Sequence, residues 1–124
     1  MTHDIIRILI ADDNQMVRYS LRVFIQLFDD FQLVGEAATG NQVVELCREL
    51  HPHLVLMDLV MPQMNGVIAT EKITREFPGI KILVLTSTVE YDLIATAIEA
   101  GAQGYLLKNG TIDMMAEAIR AAIE

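Results

Sequence analysis

Short apolar runs rich in Ile, Leu and Val recur at residues 8–11, 31–37, 54–57, 80–85 and 104–107, and the stretches between them repeat their apolar positions at helical spacing. Runs that stay apolar at successive positions predict strands covered on both faces. After the first strand, Asn14 is placed to cap a helix whose Val17, Leu21, Phe24 and Phe28 face the sheet. A second row, Met16, Tyr19, Val23 and Leu27, widens the apolar arc. It predicts packing against a neighbouring helix, the last one, with a dimer surface as the alternative. Thr39-Gly40-Asn41 reads as a turn, 43–50 as a second helix stopped by Pro52, and Asn65 as the cap of a third that runs to Glu76 before Pro78-Gly79 breaks it. A fourth helix at 91–100 ends at Gly101, and Thr111 opens a fifth that carries Met115, Ile119 and Ile123. Strands alternating strictly with helices predict an α/β fold, a five-stranded, mostly parallel sheet with helices on both faces. Ligands of such sheets bind beyond the carboxyl ends of the strands.

A chain of 124 residues has the size of one domain, expected over 1–124. No apolar run approaches the roughly 20 residues of a membrane span. Residues 1–4 are polar without a basic start and Arg7 interrupts the run that follows, so no signal peptide is expected and a cytoplasmic protein fits. The net charge of -8 works against binding a phosphate backbone, so this segment is not expected to bind nucleic acid directly. Cys47 is the only cysteine and falls on a helical apolar pattern, which reads as a small buried hydrophobe.

The ends of the predicted strands hold the chemistry. Asp12 and Asp13 follow the first strand, Asp58 the third, Thr86 the fourth and Lys108 the fifth. If the first and third strands are neighbours, three carboxylates converge, an arrangement that needs a cation, and hard oxygen donors with room for water suit Mg²⁺. Taken singly, Asp12 and Asp13 are equally explained as helix caps and Asp58 as a solvated loop residue. Lys108 supplies opposite charge for the acids and for a phosphoryl group, and Thr86 a hydroxyl donor. His3, His51 and His53 lack metal-ligand spacing, and Met57, Met61 and Met64 are better explained by packing than by a soft metal. No GxxxxGK[ST], GxGxxG or GxSxG motif is present.

Asp12-Asp13, Asp58-Leu59-Val60-Met61-Pro62, Met64-Asn65-Gly66, Thr86 and Gly104-Tyr105-Leu106-Leu107-Lys108, in this order and spacing, resemble the receiver domain of bacterial two-component response regulators over the whole chain. Leu33-Val34-Gly35-Glu36-Ala37 and the Leu-Leu-Lys ending resemble the NarL/FixJ-like branch, whose members usually carry a C-terminal LuxR-type helix-turn-helix. The resemblance implies a flavodoxin-like sheet in the order 2-1-3-4-5. It implies that Asp58 accepts a phosphoryl group from the phosphohistidine of a sensor histidine kinase. Mg²⁺ would be held by Asp13, Asp58 and the Val60 carbonyl, with Asp12 acting through water. Lys108 would pair with Asp58 and then with the phosphoryl group. Thr86 and Tyr105 would turn inward as the switch, with homodimerisation on phosphorylation and control of transcription as outputs. Such a domain is no enzyme in the ordinary sense, although it assists its own phosphorylation and dephosphorylation.

Three departures qualify that expectation. Asn109 replaces the proline common after the lysine, so a cis peptide is not implied there. Val60 and Thr88 offer no acid or amide to orient a hydrolytic water, which predicts slow loss of the phosphoryl group, whereas small Ser87 keeps its path open. The sequence stops with the last helix at Glu124, so no effector domain is expected within it. Arg18 and Arg22 read as a solvated face or as a docking face for the kinase. Rival readings are weaker. A haloacid-dehalogenase-like phosphatase needs Asp-x-Asp after its first strand, and a flavodoxin-like FMN carrier would place phosphate against two aspartates. A receiver fold used as an interaction scaffold, with its acidic site idle, is the remaining alternative.

Overall fold

The computed structural model describes residues 4–87 and 90–124. Strands and helices alternate throughout: β1 (Ile6–Ala11), α1 (Gln15–Gln26), β2 (Phe31–Ala37), α2 (Gly40–Leu50), β3 (Leu54–Asp58), α3 (Gly66–Glu76), β4 (Lys81–Thr86), α4 (Tyr91–Ala100), β5 (Gly104–Leu107) and α5 (Ile112–Ile123). The strands form one parallel sheet in the order β2-β1-β3-β4-β5.

The period of the strands divides the core. Ile8, Ile10, Leu54, Leu56, Leu83 and Leu85 project to the face covered by Leu21, Phe24 and Ile25 of α1 and by Met115 and Ile119 of α5. Leu9, Ala11, Val55, Met57, Ile82 and Val84 project to the other, beneath Val43 and Cys47 of α2, Ile73 of α3 and Ala97 of α4. Both faces are covered, which is why the strand sequences lack polar alternation. Cys47 is fully buried and its thiol is pushed up to about 12 by burial, as expected of a small hydrophobe.

Several boundaries move for identifiable reasons. The Thr39-Gly40-Asn41 segment is the start of α2 rather than a separate turn: Thr39 Oγ1 accepts the Gln42 N–H at 3.1 Å, and Gln42 Oε1 reaches back to the Ala38 N–H at 2.8 Å. This reciprocal arrangement resembles a capping box. Phe28 lies past the end of α1 but joins a ring cluster with Phe24 and Phe31, at centroid distances of 5.4 and 5.1 Å. Strand β3 includes Asp58, paired with Leu85, and β4 is shifted one residue along to end at Thr86.

The second apolar row of α1 does not pack on α5. Met16, Tyr19, Val23 and Leu27 remain exposed and Met16 keeps 70% of its surface. The cause is where the helices sit, with α1 over β1 and β2 and α5 over β4 and β5, which leaves a groove between them. Met16, Val23, Leu27 and Ile112 border it.

Candidate functional site

Parallel strands deliver the ends of β1, β3, β4 and β5 to one edge of the sheet, where a cavity of about 280 Å³ is lined by Asp13, Asn14, Asp58, Val60, Thr86, Ser87, Glu90 and Lys108. Asp12 adjoins it, close to Asp13, Asp58 and Lys108. It is fully buried, Asp58 keeps 8% of its surface, and Asp13 is exposed. One carboxylate oxygen from each lies within 4.8 Å of the others.

Every polar atom of Asp12 has a neighbour that fixes it. Its N–H donates to Ala37 O at 3.0 Å, its carbonyl accepts from Arg18 Nη1 at 2.8 Å, and Oδ1 accepts the Asn14 N–H at 2.9 Å. Lys108 Nζ stands 2.8 Å from Oδ2 and 3.6 Å from Asp58 Oδ1. The closer contact uses one acceptor site of the buried Oδ2, and a carboxylate oxygen with a second lone pair keeps unused acceptor capacity. Unsatisfied buried acceptors are costly, and a cation or an ordered water relieves that cost.

Burial, and then the Asp12 charge, push the Asp58 carboxyl up to about 6, against the pull of Lys108 and the Val60 N–H. Burial alone would lower the Lys108 ammonium, but the hydrogen bond and charge of Asp12 and the charge of Asp58 outweigh it and the net direction is up. Lys108 therefore stays charged, and one cation faces three acids. The cluster can hold a metal ion, for which its hard oxygen donors suit a small divalent cation.

Each strand-end residue singled out from the sequence lies at this edge. Asp12, Asp13, Asp58 and Val60 converge with Thr86 and Lys108, and Tyr105 stands on the outer strand β5 with 43% of its surface exposed. Lys108 is held closer to Asp12 than to Asp58. Among the described residues no peptide bond is cis, so none follows Lys108. Met57 and Met61 are core residues and Met64 packs beside them. His53 Nδ1 accepts the Arg7 N–H at 3.0 Å and His51 forms the left-handed end of α2, so neither serves the site. His3 and Thr88 lie outside the described residues.

No pattern in the chain marks Glu90, which opens α4 without a side-chain capping bond and lines the cavity. Arg18 does not lie on a freely solvated face. Its side chain keeps 20% of its surface and bends back to Asp12 and Glu36, while Arg22 makes a two-pronged contact with Glu36 at 2.7 and 3.0 Å.

Comparison with known proteins agrees with this geometry. The response regulator receiver domain model matches residues 8–120. The transcriptional regulatory protein LiaR of Bacillus subtilis (strain 168) is 47% identical over 117 residues, covering 94% of this chain and 56% of that protein. The response regulator protein VraR of Staphylococcus aureus (strain NCTC 8325 / PS 47) is 39% identical over 115 residues, covering 93% and 55%. The chain thus spans about half the length of the curated relatives it matches. Among solved structures, a LuxR-family two-component response regulator from Aurantimonas sp. SI85-9A1 superposes with a TM-score of 0.90 at 32% identity, covering 97% of this chain and 86% of that one. The match runs from β1 into α5 and takes in every strand whose end lines the cavity, and on that extent the chain belongs to the response regulator receiver domain family.

Proposed function

We propose that this domain is a phosphorylation-dependent switch and that Asp58 is its phosphoacceptor. The observation that supports this reading is Asp58 itself, a nearly buried carboxylate facing a cavity bordered by Asp13, Thr86 and Lys108. An Asp58 oxygen attacks the phosphorus of a kinase phosphohistidine, the P–O bond forms as the P–N bond breaks, and the imidazole leaves. Such transfers pass through a loose, in-line transition state, so the domain positions groups and neutralises charge.

The acceptor left on buried Asp12 Oδ2, with three carboxylates together, fits Mg²⁺. Asp13, Asp58 and the Val60 carbonyl would hold it, with Asp12 acting through water. When bound it offsets the negative charge of the acids and of the incoming phosphoryl group. Lys108, anchored by Asp12, takes a phosphoryl oxygen as it develops charge. The Thr86 hydroxyl donates to another, and the Tyr105 ring moves from the surface of β5 into the space behind it. Phosphorylation thereby shifts a population between two surfaces of α4, β5 and α5.

The wider role rests on the relatives. The kinase is a sensor histidine kinase, the setting is cytoplasmic, and the output is transcription through a helix-turn-helix domain outside the present residues 1–124. The exposed row of Met16, Tyr19, Val23 and Leu27 is the surface a phosphorylation-driven homodimer would cover. The domain assists its own phosphorylation and dephosphorylation without being an enzyme of another substrate.

Intact mass after incubation with acetyl phosphate and Mg²⁺, with and without EDTA, tests the reading. One Mg²⁺-dependent phosphoryl adduct, absent from Asp58→Asn, is expected. No adduct under any condition would favour a receiver fold used as a constitutive scaffold.

A further inference from the structure

Arg18 occupies the first turn of α1, where a cation faces the positive end of the helix dipole and is disfavoured unless something else holds it. Two groups do. Its side chain runs toward the helix N-terminus, as helical side chains do, and Nη1 donates to the Asp12 carbonyl at 2.8 Å. Its Nε lies 3.5 Å from Glu36 Oε1 on β2. The Arg18 partner, Glu36, is itself fixed by the paired contacts from Arg22, which with the charge of Arg18 hold its carboxyl below the usual range.

The remaining contacts of Asp12 come from Ala37, Asn14 and Lys108. Arg18 adds the one that fixes the carbonyl of the Asp12–Asp13 peptide, and with it the direction in which the exposed Asp13 carboxylate leaves the loop. We propose that Arg18, held by Glu36, is a positioning residue that orients the Asp12–Asp13 peptide for divalent-cation binding. This rests on the metal-dependent phosphoacceptor reading and goes beyond it by assigning a role to a residue outside the cavity.

Charge and geometry predict opposite signs, which makes the inference testable. Arg18→Met removes a positive charge from beside three acids, and electrostatics alone would tighten Mg²⁺ binding. Loss of orientation weakens it, by about tenfold on the scale typical of groups that orient metal ligands. The experiment is a calorimetric titration of Mg²⁺ into the parent and Arg18→Met, with melting curves and with acetyl phosphate labelling rates across Mg²⁺ concentration. The expected result is weaker Mg²⁺ binding and a higher half-saturating Mg²⁺ in labelling, with the rate at saturating Mg²⁺ preserved. Equal or tighter binding overturns the proposal, as does a lower saturating rate with unchanged affinity. Where Arg18→Met does not melt cooperatively, Arg18→Gln is read by the same criteria. A parent that binds no Mg²⁺ would overturn the reading of the site and this proposal with it, whereas a parent that binds and variants that match it would overturn this proposal alone.

Discussion

Lys108 Nζ stands 2.8 Å from Asp12 Oδ2. Anchorage on Asp12 leaves the ammonium 3.6 Å from Asp58 Oδ1 without depending on it. When Asp58 gains a phosphoryl group, Lys108 can meet the new oxygens while keeping its buried partner. Lys108→Met is expected to slow acetyl phosphate labelling by about a hundredfold, the scale of losing one donor to developing oxyanion charge. It is also expected to tighten Mg²⁺ binding, since Asp12 and Asp58 lose the cation paired with their carboxylates. Mass-resolved labelling kinetics and calorimetry read both effects, and an unchanged labelling rate would remove Lys108 from the transfer.

Asp58 makes stability depend on pH. Its carboxyl is raised to about 6, so between the unfolded value and about 6 the folded domain keeps a proton that the unfolded chain has released. The stabilisation is complete below the unfolded value and is lost as pH rises through about 6. The rise corresponds to about 3 kcal/mol once Asp58 is ionised. Asp58→Asn is therefore expected to melt above the parent at neutral pH without metal, with the difference shrinking toward acid pH. Mg²⁺ should raise the parent's Tm more than the variant's. Melting curves across pH, with and without Mg²⁺, check this, and a variant no more stable than the parent at neutral pH would contradict it.

The sheet and its acidic edge were legible because both arise from local pattern. Strands covered on both faces stay apolar at every position, and parallel topology then sends Asp12, Asp13, Asp58, Thr86 and Lys108 to one edge. What escaped depends on three-dimensional direction. A period of apolar residues marks Met16, Tyr19, Val23 and Leu27 as one row, but whether α5 covers them depends on which strands the helices straddle. Arg18 is one long polar side chain on a helix, and no spacing rule shows that it bends back to the Asp12 carbonyl. The start of α2 was hidden for another reason, since Thr39-Gly40-Asn41 has the composition of a turn and becomes a helix start through the contact between Gln42 and Ala38.

Gly66 packs against the backbone of Asp58 and Leu59. Its N–H donates to Leu59 O at 2.8 Å, and a Cβ there would meet the Asp58 carbonyl oxygen. Gly66→Ala is expected to cost about 1–3 kcal/mol, in the range of overpacked interiors, and to slow labelling by displacing Asp58. Gly79→Ala is the control, because a Cβ at that position meets nothing within 4 Å. Chemical denaturation of both variants separates the effects, and equal midpoints would remove the packing argument.

The lifetime of the phosphorylated state follows from what borders the cavity. Val60, 71% exposed at the rim, can neither accept nor donate a side-chain hydrogen bond to an attacking water, and Ser87 beside Thr86 carries no carboxylate or amide. Phospho-Asp58 is expected to persist for many minutes in Mg²⁺, and Val60→Asn to shorten that lifetime by about tenfold, a small share of what a positioned polar group can supply. Phosphate release from the mass-verified adduct measures it. A parent half-life of seconds would mean that another group orients the water, and the acid available is Glu90, which lines the same cavity and makes no capping bond. Glu90→Gln would then lengthen the lifetime. With slow loss in the parent, Glu90→Gln should change nothing, because its carboxylate then orients no attacking water.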